Sequence, residues 1–241
     1  TPVTDASEAL SDQSPKIHES GNLLSTTEIQ RGDCIKAEKE SEYVTKGTYK
    51  TQRIEHAFME LECCVAKPQE DGIEVFSQGQ GVYEDRNSIS KILGIPLENV
   101  VVSLMPNGGA FGGKEDISVQ GHASLFAHLL QLPVRVALTR PESLLMHPKR
   151  HPMSMDISMG CDKKGKLTFI KADIIGDTGA YASVGMKVLE RAAGHATSVY
   201  TIPSVEILSR AVYTNNVPCG AMRGFGVNQI NFAVESCIDE L

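Results

Sequence analysis

The stretch Asn107-Gly108-Gly109-Ala110-Phe111-Gly112-Gly113-Lys114-Glu115 lies between two periodic segments. Before it, Val100–Leu104 is a short β-branched run that reads as a strand. After it, Val119, Ala123, Phe126 and Leu130 recur at helical spacing across Ile117–Leu130. A strand, a glycine-rich turn and a helix in succession are a building unit of α/β folds. The four glycines ask for positive φ, or for a ligand lying close to the main chain. Successive free N–H groups ahead of a helix N-terminus would form an anion nest. Gly108 to Lys114 also satisfies the G-x-x-x-x-G-K pattern of a phosphate-binding loop. Glu115 then stands where a Ser or Thr hydroxyl would hold magnesium, and a carboxylate there repels phosphate.

Two similar junctions flank this one. Ser77-Gln78-Gly79-Gln80-Gly81 follows the strand-like Ile73–Phe76. Cys219-Gly220-Ala221-Met222-Arg223-Gly224-Phe225-Gly226 stands between a strand over Val205–Tyr213 and a helix over Asn228–Leu241. Loops at strand ends commonly converge on one ligand, and Gln80, Glu115 and Arg223 are the polar groups these three supply. Further strands are expected at Tyr43–Lys50, Leu61–Ala66 and Pro133–Thr139, with a hairpin joining Ser154–Gly160 to Leu167–Ile175. A helix over Tyr83–Leu93 places Val82, Ile89, Ile92 and Leu93 on one face. The fold class is α/β, with mixed sheets and flanking helices. Residues 1–42 are rich in Ser, Thr, Asp and Glu and read as an extended connecting segment, leaving residues 43–241 as one subdomain. The apolar face of the last helix is unfinished at Leu241, so a longer polypeptide is expected.

Lys and Arg number 23 against 30 Asp and Glu, a net charge of -7, which argues against general nucleic-acid binding. Hydrophobic residues make up 41%, enough for a packed core. No apolar run approaches the ~18–20 residues of a membrane span. Thr1–Pro15 lacks the basic start and apolar centre of a secretory signal, and a cytoplasmic protein is the expectation. The six cysteines form no C-x-x-C pair and read as small buried hydrophobes rather than zinc or cluster ligands. The cationic run Met146–Pro152 holds two prolines and reads as a surface turn. Glu190-Arg191 interrupts a small, apolar segment, and His56 fits either a core or a functional role.

Taken together these blocks resemble the molybdenum hydroxylases, the xanthine dehydrogenase and aldehyde oxidase family. The resemblance rests on Glu55-His56-Ala57-Phe58-Met59-Glu60, Gly79-Gln80-Gly81, Gly108 to Glu115, Glu190-Arg191-Ala192, and Ala221 to Gly226 followed by Gln229, all in the family's order. It covers about Thr45 to Leu241, and Gly108–Asp116, Gly176–Ser183 and Tyr213–Gln229 look most like bacterial, selenium-dependent xanthine dehydrogenases. It implies the first molybdopterin-binding subdomain of a large subunit, holding one side of a molybdenum–molybdopterin cofactor. Gln80 would donate a hydrogen bond to an oxygen ligand of the metal. Main-chain amides around Phe111 and Gly112, and at Arg223, would face the metal and the pterin. Phe225 would pack on the heterocycle, while Glu115 and Arg191 would grip a purine, xanthine or hypoxanthine, and act in its hydroxylation. Family members that oxidise aldehydes carry apolar residues at those two positions, so the resemblance favours a purine.

Ala110 and Met222 depart from the glycine and phenylalanine common in the family, and neither change removes a polar group. No residue here matches the family's general-base glutamate, which lies far downstream in the other molybdopterin-binding half. Iron–sulfur and flavin (FAD) modules are expected on other segments or subunits, and the intact assembly is expected to be oligomeric, with no nucleic-acid or membrane partner. The rival readings are a non-catalytic nucleotide-binding module built on Gly108–Lys114, and an inactive truncated fragment.

Overall fold

The computed structural model describes residues 1–241. In chain order the first elements are α1 (Ala6–Ala9), β1 (Leu23–Arg31), α2 (Cys34–Glu40), β2 (Tyr43–Thr51), β3 (Cys63–Gln69) and β4 (Gly72–Ser77). Next come α3 (Val82–Leu93), β5 (Val100–Leu104), α4 (Val119–Leu130), β6 (Val134–Ala137) and α5 (Arg140–Met146). The last are β7 (Met153–Cys161), β8 (Leu167–Gly179), α6 (Gly185–Gly194), β9 (Ser204–Tyr213) and α7 (Val227–Glu240). They divide between two compact units. One comprises Thr1–Ile54, Arg150–Cys219 and Gly224–Leu241, and the other comprises Glu55–Lys149 with Gly220–Arg223.

The first unit is a five-stranded mixed sheet in the order β1-β9-β8-β7-β2. Every second residue of β7, namely Met153, Met155, Ile157 and Met159, is buried, the period-2 signature of a sheet with one covered face. Ile170, Ala172 and Ile174 of β8 continue that face, and α6 and α7 cover it with Val188, Leu189, Ile230 and Val234. On the other face Lys171 pairs with Glu38 of α2 at 2.7 Å. Residues 1–42 therefore differ from the extended segment expected of them. β1 pairs antiparallel with β9, and α2 is capped by Asp33, whose side chain accepts from Lys36 N.

The second unit is a four-stranded sheet in the order β5-β4-β3-β6. β4 and β5 run parallel, joined through α3 in a crossover, while β3 is antiparallel to both β4 and β6. Ile73, Val75, Ile89, Val100, Val119 and Ala123 form its core beneath α3 and α4. The parallel pair decides where its loops go. Residues 78–81 and 105–118 both leave from carboxyl ends of β4 and β5, and Met105 N donates to Ser77 O at 2.8 Å to hold the ends side by side.

Candidate functional site

Gln80 is fixed by the neighbouring glycine-rich loop. Its amide N donates to Lys114 O at 2.8 Å, and its side-chain Oε1 accepts from Gly112 N at 3.0 Å and Lys114 N at 3.3 Å. With the oxygen committed, the side-chain NH2 of this exposed residue is the end left to donate outward. The loop below is locked as well: Asn107 Nδ2 donates to Gln78 O at 2.7 Å, and Ser77 Oγ gathers Gly79 N, Gln120 Nε2 and the buried Asp85 carboxylate. Burial raises the Asp85 carboxyl above the usual carboxylate range, with the Ser77 hydrogen bond opposing the shift.

The amides of residues 112–115 do not form an open nest. Gly112 N and Lys114 N bind Gln80, Gly113 N donates to Ala110 O at 2.8 Å, and Glu115 N to Gly112 O at 3.3 Å. α4 begins only at Val119, so no helix N-terminus opens at this loop. Lys114 is 4% exposed and turned inward, its ammonium bonded to Glu60 O at 2.8 Å and to Gln78 Oε1, over the Phe58 ring. A phosphate would therefore find neither the lysine nor the 112–115 amides that the loop pattern promised, and the nucleotide reading loses its principal ligands.

Phe111 lies in the left-handed region at φ 54° with its ring half exposed, a costly conformation for a bulky residue. Its carbonyl accepts from Arg223 N at 2.9 Å. Gly112 lies so near the 221–222 backbone that a Cβ would stand 2.7 Å from Ala221 O. The unit thus brings Gln80, Phe111, Gly112 and Arg223 together. Glu115 sits exposed at the end of the same loop, its carboxyl raised by desolvation and further by Asp116. Arg191 and Phe225 belong to the other unit, where the Arg191 guanidinium lies 5.6 Å from the Phe225 ring centroid. Phe225 is left-handed too, at φ 47° between two positive-φ glycines. Glu190 pairs with Lys187 at 2.8 Å rather than with Arg191. Gln229, another motif residue, donates to His151 O at 3.1 Å inside that unit.

The cationic run expected on the surface is interior. His147 is 1% exposed and Lys149, Arg150 and His151 are buried as well. In the second unit His147 Nε2 lies 2.7 Å from Glu55 Oε1, its Nδ1 lies 2.6 Å from Ser143 O and 3.2 Å from Glu62 Oε1, and Lys149 Nζ lies 2.7 Å from Glu55 Oε2. Acceptors face both His147 nitrogens, and Lys149, Glu55, His147 and Glu62 line up as one buried polar chain. Glu55, His56 and His147 are close enough to surround a cation, but Lys149 already occupies the second oxygen of Glu55. Sequence reading missed this chain because prolines 148 and 152 suggested a turn. Glu55 in the shared motif was its one visible anchor.

A family model described as the molybdopterin cofactor-binding domain matches residues 17–241. A probable xanthine dehydrogenase subunit from Bacillus subtilis is 39% identical over 97% of this chain and 31% of its own length. The nicotinate dehydrogenase large molybdopterin subunit of Eubacterium barkeri is 37% identical over 97% of this chain and 55% of its own. The chain thus spans less than two thirds of these relatives. Among solved structures, aldehyde oxidoreductase from Desulfovibrio gigas superposes with a TM-score of 0.93 at 24% identity, over 97% of this chain and 26% of that one. Quinoline 2-oxidoreductase from Pseudomonas putida 86 superposes with a TM-score of 0.92 at 25% identity, over 100% of this chain and 31% of that one. The mixed α/β architecture expected from the sequence is the one these folds share. No helix is long and apolar enough to cross a membrane.

Proposed function

The chain belongs to the molybdopterin cofactor-binding domain family of the molybdenum hydroxylases, and from that premise we propose that it forms one side of the cofactor site of an enzyme hydroxylating a purine. The observation that carries the reading is Gln80, whose oxygen is tied down by two main-chain amides so that its NH2 faces outward. A donor fixed this way suits a molybdenum cofactor bearing oxygen ligands, and the close approach of Gly112 to the 221–222 backbone holds the two glycine-rich segments side by side. When bound, that cofactor supplies the redox chemistry, accepting two electrons as oxygen from water enters a C–H bond of the substrate.

The chain's own residues bind and orient. Gln80 donates toward the cofactor, and the Phe111, Gly112 and Arg223 segments line it. Phe225 offers a ring face held rigid by its backbone, against which an aromatic substrate stacks. The Arg191 guanidinium, presented beside that ring, donates to a purine carbonyl on which negative charge develops. Glu115, whose carboxyl is raised by desolvation, hydrogen-bonds a ring nitrogen and fixes which carbon is presented. The other molybdopterin-binding half, the general base, and the iron–sulfur and flavin modules belong to the rest of the enzyme in this reading.

Arg191→Met in the intact enzyme tests the purine assignment. Loss of a transition-state donor costs about 10²–10³ in kcat, so xanthine turnover should fall by that factor and aldehyde turnover by less than tenfold. Equal loss for both substrates removes the purine role. Nicotinate is the second reading, favoured by the Eubacterium barkeri relative. Both are electron-poor nitrogen heterocycles, and a kcat/KM comparison of xanthine, hypoxanthine and nicotinate separates them. Molybdenum, selenium and pterin measured per chain on the same preparation decide which cofactor is carried.

A further inference from the structure

His56 is buried at 7% exposure, with its Nε2 2.7 Å from Ala221 O. A carbonyl can only accept, so Nε2 carries the hydrogen. Nδ1 is buried with no hydrogen-bond partner. A second N–H there would go unpaired in a buried site, so the ring is the neutral Nε2–H form. The face of the same ring is packed against the glycine loop. A Cβ on Gly113 would lie 2.8 Å from His56 Cγ, closer than atoms tolerate. Ala221 O, the atom His56 holds, is also the atom that a Cβ on Gly112 would strike. Two residues on, Arg223 N returns to Phe111 O at 2.9 Å. His56 is thus wedged between the 110–113 turn and the 221–223 segment, touching both. The aromatic neighbours Phe58 and His147 pack beside it, with ring centroids 6.4 and 5.3 Å away.

We propose that His56 is the positioning residue that sets the spacing between Gly112–Gly113 and Ala221–Arg223, its Nε2–H gripping one segment while its ring supports the other. The proposal rests on the reading above in one respect, that these two segments face the molybdopterin. His56 itself does not touch the cofactor in this account and acts through the Ala221 carbonyl. The position belongs to the Glu55–Glu60 motif, and the geometry gives that motif a structural role, propping the two glycine-rich junctions from beneath.

The test compares His56→Phe, which keeps ring volume without a donor, with His56→Gln, which restores an N–H near the Nε2 position. In the intact protein, amide hydrogen exchange across residues 108–114 and 220–223 should accelerate at least tenfold in His56→Phe. Molybdenum and pterin per chain should fall at least threefold. His56→Gln should stay within twofold of the unsubstituted protein in both. Nitrogen-15 NMR of the unsubstituted protein should show the Nε2–H tautomer, a readout independent of how the variants fold. Unchanged exchange in His56→Phe overturns the proposal, as does a proton on Nδ1 or equal damage in both variants. Unsubstituted protein without molybdenum or pterin overturns the cofactor reading instead, and the exchange data still decide the role of His56.

Discussion

Lys114 carries its charge into the interior of its unit, where Glu60 O and Gln78 Oε1 accept its protons and the Phe58 ring faces it at 4.6 Å. Burial lowers its pKa, against the pull of Glu60 and Glu62, yet the two acceptors keep the ammonium worth holding. Lys114→Met keeps the length of the stem and leaves both acceptors unpaired. It should cost about 3–6 kcal/mol, since each of the two bonds to a charged group contributes roughly 1.5–3 kcal/mol. Urea unfolding reads this directly, and a loss below about 0.5 kcal/mol would mean that water satisfies the acceptors. At this scale the sequence exposes residue types but not directions. The glycine pattern of 108–114 is plain in the text, while the inward turn of Lys114 depends on Gln78 and Glu60, which lie far away in sequence. The left-handed backbones of Phe111 and Phe225 were equally hidden, because glycine rather than phenylalanine advertises positive φ.

α6 and α7 meet at Gly226, the residue before the first turn of α7. Gly226 has φ +94°, and a Cβ there would stand 2.3 Å from the Val188 carbonyl of α6. Because the obstacle is backbone, it cannot rotate away. Gly226→Ala should therefore destabilise the unit by about 2–4 kcal/mol, from left-handed strain and overpacking combined. Thermal unfolding measures the loss, and a Tm within 1 °C of the parent, on the order of 0.2 kcal/mol, would show that α6 shifts freely. Elements with strong periodicity were legible. β7 and β8 alternate cleanly, and α3, α4 and α7 show their apolar faces within a residue or two of the observed limits. β1 escaped because its sequence, Leu-Leu-Ser-Thr-Thr-Glu-Ile-Gln-Arg, is that of an edge strand with polar groups toward solvent. α6 escaped because the charged pair Glu190-Arg191 interrupts its apolar run, although Val188, Leu189, Ala192 and Ala193 repeat at helical spacing. α5 could have been found from Thr139 and Glu142, a capping box flanking Pro141.

Each unit carries depressed carboxylates that lose stability in acid, through different residues. In the sheet-rich unit, hydrogen bonds from Lys171 and Lys46 hold the Glu38 carboxyl down to about 2, from an ordinary value of 4.5. In the other unit Glu55 and Glu62 lie below the ordinary value despite burial, which alone would raise them, because Lys149 and the Ala57 amide pull Glu55 down and His147 and Ser143 pull Glu62 down. A carboxylate depressed on folding stabilises the protein above its unfolded pKa, and that contribution is lost as pH falls through the folded value. For Glu38 the window runs from about 4.5 to about 2, and the pair is partly solvated, so it contributes at most about 1 kcal/mol. Breaking the interior chain is more severe, since a buried charge left alone costs about 3–5 kcal/mol. Unfolding free energy should therefore begin to decline below about pH 6.5, where burial makes His56 harder to protonate folded than unfolded, and fall more steeply below 4.5. Glu38→Gln should shave only the shallow part of that fall, whereas Glu62→Gln should lower stability already at pH 7. Urea titrations of the three proteins at pH 7, 5, 4 and 3 separate the contributions. An equal effect of both substitutions at pH 7 would mean that the interior chain is solvated and carries no more than the surface pair.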